Sequence, residues 1–444
     1  MKQKIIGNWP VLLCVLLFGV NVFACYPGFI SPDTIDQYHQ ALTGVYDDWH
    51  PPVMALLWHC FMFVQKGTGP MLLFQLAMLW TACAILMSCF RNNVIKLFVL
   101  LFCCSPIVQN FAGYIVKDVH MAFSWLLAIS IILRAIVQER KLSKPEVVAV
   151  LVLLLYGTWV RINALPGVLP LLYLLVRQQF PLLKEIKKAG LSVAGCLALL
   201  VIMSGVQNLV IKPEATHPEN KLFLQDLSGI FVHTNQNVFP DFMYDPDANF
   251  DTAYIRTHFT TATFDDIWAR NMIVDGDSVA VLKHSWQKAV KENFPLYLRN
   301  RYDGFLYFLR IKNRPNVKLT YYWFFATPNQ FQFAVRHNGL LDAMERSVKL
   351  QANFIYMKPW FWLLVNVLLF PLAFRMKRGK MQLPFLMLLI SSLFYLLPQF
   401  FIYQIDTDFR YFYWNCVAVS LAAILLVNGQ WAKVKDETSK VKNA

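Results

Sequence analysis

Long apolar runs separated by short polar breaks dominate this chain. Runs at Val11–Ala24, Met71–Phe90, Leu97–Tyr114, Val119–Val137, Val147–Val160, Ala164–Val176, Leu191–Ile211, Trp360–Phe374, Leu383–Phe401 and Phe412–Val427 approach the roughly 20 residues that a helix needs to cross hydrocarbon. Pro52–Val64 is shorter and suits either a further crossing or a helix lying in the interface. The pattern predicts an all-α polytopic membrane protein of about 10–11 transmembrane helices.

Charge orients the runs. Basic residues gather at Arg91 and Lys96, from Arg134 to Lys144, from Arg177 to Lys188, from Arg375 to Lys380, and in the tail around Lys433. With all of these on the cytoplasmic side, as the positive-inside rule directs, the runs alternate without conflict if Pro52–Val64 does not cross. The loops at 25–50, 115–118, 161–163, 212–358 and 402–411 then face outward. Three parts follow: a membrane module over 1–211, a polar segment over 212–358, and a second membrane module with a basic cytoplasmic tail over 359–444. In the polar segment, Glu214 to about Asn300 predicts a small extracytoplasmic domain or lid of helical or mixed structure. The later part is aromatic, with Tyr302, Phe305, Tyr307, Phe308 and the run Tyr321-Tyr322-Trp323-Phe324-Phe325. It suits interfacial anchoring or an acceptor-binding surface.

Composition agrees with this picture. The chain is 57% hydrophobic and 15% charged, with mean hydropathy +0.43, where a soluble protein has about 25% charged residues. Its net charge of +14 does not point to nucleic acid, because the basic residues border apolar runs and form no stripe interleaved with aromatics. All nine cysteines lie in or beside apolar runs, with neither zinc spacing nor a disulfide framework. Lys2 and Lys4 ahead of Val11–Ala24 resemble the start of a signal peptide, but the short polar loop that follows returns to apolar sequence, and an uncleaved first helix is expected.

The chemistry-bearing residues concentrate in the loop from Tyr26 to Pro52. Ser31 or Asp33 can cap a short helix over roughly 34–42, on which Asp33, Asp36, Gln37 and Gln40 share a face. Asp47-Asp48-Trp49-His50-Pro51-Pro52 follows. Lys117-Asp118, Arg161 with Asn163, and Asp406, Asp408 and Arg410-Tyr411 sit at other ends of apolar runs. Charges at such depth are costly, and line a site or pair with one another. For each taken alone, an ion pair is the simpler account. His217, His233, His258, His284 and His337 show no metal-ligand spacing.

The acidic first loop, the His50-Pro51-Pro52 turn leading into an apolar run, and Arg410-Tyr411 before the last helix resemble the GT-C superfamily. These are multi-pass glycosyltransferases that use polyprenyl-phosphate sugars, among them protein O-mannosyltransferases and the lipid A aminoarabinose transferases. The layout covers most of the chain, but the specific motifs cover mainly 26–52. Two departures stand out: the acids Asp33 and Asp36 are not adjacent, and His50 stands where relatives often have Lys. The resemblance implies a bacterial inner-membrane enzyme with a periplasmic active site. It implies Asp33 as the base, with Asp36 or Asp48 as alternatives, because inverting transfer needs a carboxylate to take the acceptor's proton. His50, Lys117, Arg161 and Arg410 are the candidates for stabilising the departing lipid phosphate. Gln37, Trp49, Asp118, Asn163 and Tyr411 are candidate substrate contacts. The expected partners are the lipid-linked donor, an envelope glycan, lipid or protein acceptor, and membrane lipid. A divalent metal is compatible with the acidic loop, but no ligand set is specified. The competing readings are an O-antigen polymerase or ligase, which would use a late loop where Arg256, His258 and Arg270 lie, and a flippase or transporter for lipid-linked sugars.

Overall fold

A computed structural model describes residues 9–245, 250–263, 276–313, 323–376, 379–402 and 407–442, the last thirteen as backbone only. Arg270, Tyr321, Tyr322 and Asp406 lie outside the described residues, as do the side chains of the tail. The chain is 75% helical, without strands among the described residues.

The helices of the first module are α1 (Trp9–Cys25), α2 (Pro32–Thr43), α3 (Val53–Met62), α4 (Gly69–Cys89), α5 (Asn93–Cys103), α6 (Pro106–Ala112), α7 (Lys117–Val137), α8 (Lys144–Val160), α9 (Leu165–Gln179) and α10 (Glu185–Val206). The polar segment carries α11 (Asn220–Thr234), α12 (Thr252–His258), α13 (Asp277–Glu292), α14 (Phe294–Phe308) and α15 (Gly339–Gln351). The closing module has α16 (Pro359–Leu369), α17 (Leu372–Arg375), α18 (Gln382–Ile402) and α19 (Tyr413–Lys442).

Among the described residues, five spans are long and apolar enough to cross a membrane, and up to seven if each of two bent pairs counts as one. The run read as Leu97–Tyr114 is broken between α5 and α6 by a 47° bend, and α8 meets the helical stretch Ile162–Gln179 at 120°. Ser105 caps α6 through its side chain, with Pro106 at the first position, so the sequence itself restarts the helix. Helix α3 has ten residues and rises about 15 Å, half of what a crossing needs.

Helix α7 is the centre of the bundle: 83% of its apolar window is buried, against 17% for α10. It packs against α4 and α8, while α18 packs against α9 and α19. On α10 and the turn after it, Leu197, Val201, Leu209 and Val210 are exposed, an aliphatic surface that suits lipid and not water. Between α10 and α14 the polar segment has a separate apolar core around Leu224, Leu227, Ile230, Ile255 and Leu282. Its later part joins the main core through Phe308, Phe324, Leu341 and Val348.

Candidate functional site

The first loop is fixed by backbone pairing on two sides. Phe29 N–H donates to Gly113 O (2.7 Å) and Ile115 N–H to Phe29 O (3.1 Å). Ile30 N–H donates to Phe325 O (3.3 Å), and Thr327 N–H to Ile30 O (3.0 Å). Two glycines permit this. Gly28 has φ +116°, and a Cβ at Gly113 would lie 2.4 Å from the Phe29 ring. The next residues form α2: Ser31 and Thr34 make a reciprocal capping box, Pro32 occupies the first turn, and Gly44 closes the helix at φ 73°. Thr34 Oγ1 also donates to Ile115 O (2.7 Å). Asp33 is thereby held in the first turn, beside the segment that opens α7.

Around Asp33 the structure gathers His50 and the cations Arg410, Lys117 and Arg161 from distant places in the sequence. Arg410 Nη1 lies 2.7 Å from Asp33 Oδ2, and its Nε lies 3.2 Å from Asp408 Oδ2. His50 Nε2 stands 3.8 Å from Asp33 Oδ1. Lys117 Nζ lies 2.7 Å from His50 Nδ1. An ammonium can only donate, so Nδ1 is the acceptor and the proton of neutral His50 sits on Nε2, facing Asp33. Arg161 Nε reaches Asp118 Oδ1 at 3.0 Å, and the Tyr411 ring lies under both guanidiniums, 4.3 Å from Arg161 Cζ and 4.9 Å from Arg410 Cζ. Arg410 Nη2 donates to Tyr411 Oη (3.0 Å). Asn163 donates to Gln399 Oε1 (3.2 Å), tying the apex after α8 to α18.

Burial by itself would raise the Asp33 carboxyl, but the flanking cations, Arg410 foremost, outweigh it and hold the group well below the ordinary carboxylate range. Burial, then the Lys117 charge, pushes His50 down to about 3. His50, read from sequence among the cations, is thus neutral near pH 7 and offers an N–H, with the charge on Lys117 behind it. The Asp33 side chain is 24% exposed, so the cluster is open to solvent at this side chain.

The remaining loop residues do other work. Asp36 Oδ2 accepts from Gln40 Nε2 (2.9 Å), and burial and the nearby Asp47 raise its carboxyl. Asp48 Oδ1 accepts from Thr216 N and Oγ1 (both 2.6 Å), and Asp47 bridges Glu214. Asp48 therefore fastens the first loop to the polar segment. Trp49 receives Lys221 over its ring (4.5 Å). Gln37 is 1% exposed, and its Nε2 donates to Asp33 O (3.3 Å). The shared α2 face divides: Asp33 reaches the cations, and Asp36 with Gln40 holds the following turn.

Two residues of the site, Tyr114 and Gln399, were not singled out from sequence, and Trp323 was read only as part of the aromatic run. Tyr114 is fully buried, and its hydroxyl stands 3.5 Å from Arg410 Nη1. Trp323 stacks on Tyr114 (5.4 Å, 7°) and donates to Ile30 O (2.9 Å). Gln399 left a signal of its own, as an amide inside an apolar run. In the late loop, Arg256 lies over the Phe231 ring (4.2 Å) and His258 bonds Tyr254 O (3.0 Å), both local contacts. Among the described residues no three His, Cys, Asp or Glu side chains converge as metal ligands.

Compared with known proteins, the chain matches no protein-family model, no curated protein and no solved structure.

Proposed function

We propose that this chain is a multi-pass glycosyltransferase that moves a sugar from a polyprenyl-phosphate donor to an envelope acceptor at the outer face of a bacterial inner membrane. The finer architecture belongs to the same reading: ten or eleven crossings in a GT-C-like arrangement, with the core around Leu227 as an extracytoplasmic domain. The observation that carries it is Asp33, an ionised and partly exposed carboxylate set against Arg410 and Lys117, with the Arg161–Asp118 pair nearby across Tyr411, at one end of an apolar bundle. One carboxylate beside several cations suits single displacement, in which a base takes a proton while an anion departs. The acceptor oxygen attacks the anomeric carbon, its proton passes to Asp33, and the bond from that carbon to the phosphate oxygen breaks. The lipid phosphate leaves with the electron pair, and configuration inverts.

The ion pair with Arg410 makes Asp33 a weak base in the empty site. A donor phosphate offers Arg410 a bidentate partner, and drawing that charge away restores basicity at Asp33 when the substrate is in place. A polymerase, ligase or flippase gains no support of this kind: the charges lie at helix ends, and Arg256 and His258 have local roles. The experiment is release of free polyprenyl phosphate by purified protein, given a panel of polyprenyl-phosphate sugars and envelope extract. Turnover lost in folded Asp33→Asn protein supports the reading. Turnover that survives moves the base to Asp36 or Asp48. No turnover of any donor by folded wild type overturns the assignment.

A further inference from the structure

A polar cavity lies at the end of the bundle opposite Asp33. Helix α7 connects the two places: Lys117 opens it beside Asp33, and Ile136 at its last turn lines the cavity, about 30 Å further along the axis at 1.5 Å per residue. The cavity measures about 490 Å³, within the usual range for a ligand site. Its walls come from the ends of α7 and α9, the start of α10, and the turn into α18.

Among the described residues, five cations line it, Arg140, Lys141, Arg177, Lys188 and Lys380, against two carboxylates, Glu139 and Glu185. Cations cap helix C-termini favourably, which accounts for Arg177 at the end of α9 but not for five on one cavity. Lys188 shows that the site is built: it is 3% exposed, and its Nζ donates to Pro181 O (3.1 Å) and Glu185 Oε1 (3.0 Å). Arg177 shares Glu185 (2.9 Å), and Arg140 takes Glu146 (2.6 Å). Lys380 pairs with Glu139. The carboxylates are thus shared or outnumbered, and a net positive field remains over the cavity. Lys184, the residue before α10, makes no side-chain cap to the amides that open it. Ile136, Leu174 and Leu383 supply an apolar side.

We propose that this cavity binds a phosphate ester, with the anionic headgroup of a membrane lipid or a soluble phosphorylated compound as its source. Basic pockets between transmembrane helices hold anionic headgroups by this chemistry. The apolar wall suits a glycerol backbone, and exposed Leu182 and Ile186 beside it suit an acyl chain.

The test is native mass spectrometry of the purified full chain with phosphatidylglycerol, phosphatidylcholine or glycerol phosphate added. Lys141 and Lys380 are exposed and stand apart from the cluster around Asp33. The wild type is expected to retain phosphatidylglycerol in preference to phosphatidylcholine. The Lys141→Gln/Lys380→Gln variant is expected to lose about tenfold in that affinity, and Lys141→Arg/Lys380→Arg to keep it. Competition by glycerol phosphate at matching affinity identifies a soluble ligand, and its failure to compete identifies the lipid; both support the phosphate site. Equal retention of the two lipids by wild type with no binding of glycerol phosphate, or an unchanged preference in the Gln variant, overturns the proposal.

Discussion

Arg410 and Asp33 are separated by 377 positions in sequence and joined by a contact of 2.7 Å. The guanidinium reaches the carboxylate from the turn that opens the last helix, after packing of α18 and α19 has brought that turn over α7. The Arg410 side chain is 8% exposed and Asp33 24%, so the pair is shielded from solvent on one side and open on the other.

Arg410→Ala removes both the pairing charge and a phosphate ligand. The cost to folding is expected at about 1–3 kcal/mol, below the roughly 3–5 kcal/mol of a fully buried pair. Transfer is expected to fall by about a hundredfold or more. Arg410→Lys keeps a charge without the bidentate fork and should be intermediate. In a double-mutant cycle with Asp33→Asn, the stability losses should fall short of additive, because each variant removes the same contact. Thermal unfolding in detergent and release of polyprenyl phosphate check the two arms separately.

His50 predicts a pH dependence. Its folded value near 3 lies below the unfolded value of about 6.5, so between these limits the unfolded chain binds the extra proton. Stability tied to His50 is full above about pH 6.5 and declines as pH falls toward 3, by at most about 1.4 kcal/mol per pH unit. His50→Gln should flatten this part of the curve. A melting-temperature series from pH 7 to pH 4 that is parallel in the two proteins would count against the neutral histidine.

The polar segment has its own buried pair. The Arg301 side chain is 0% exposed and Asp226 1%, and Trp286 Nε1 also donates to Asp226 Oδ2 (2.8 Å). Arg301→Ala strands the carboxylate and is expected to cost about 3–5 kcal/mol, whereas Asp226→Leu with Arg301→Met together should cost much less. Limited proteolysis within 212–300 reports the difference without any assay of activity.

The sequence by itself determined the class of structure. Apolar runs such as Val119–Val137 leave a backbone no choice but helix in hydrocarbon, and a local signal such as the Ser31 cap is legible because one turn settles the outcome. It also flagged Lys117, Arg161 and Arg410, because a charge at the end of an apolar run is expensive enough to need a reason, and Asp33 through the acidic face of the first loop. Only the tertiary structure decided which of these charges meet. Arg410 falls to Asp33 and Arg161 to Asp118, while Asp48, equally acidic and in the same loop, falls to Thr216. It also decided that His50 is neutral, since that state depends on burial and on the Lys117 ammonium 2.7 Å away. The break between α5 and α6 and the 120° apex at Arg161 mark the same boundary. Hydropathy records how much apolar surface a run carries, whereas a bend, an ion pair or a proton's position depends on what packs against it.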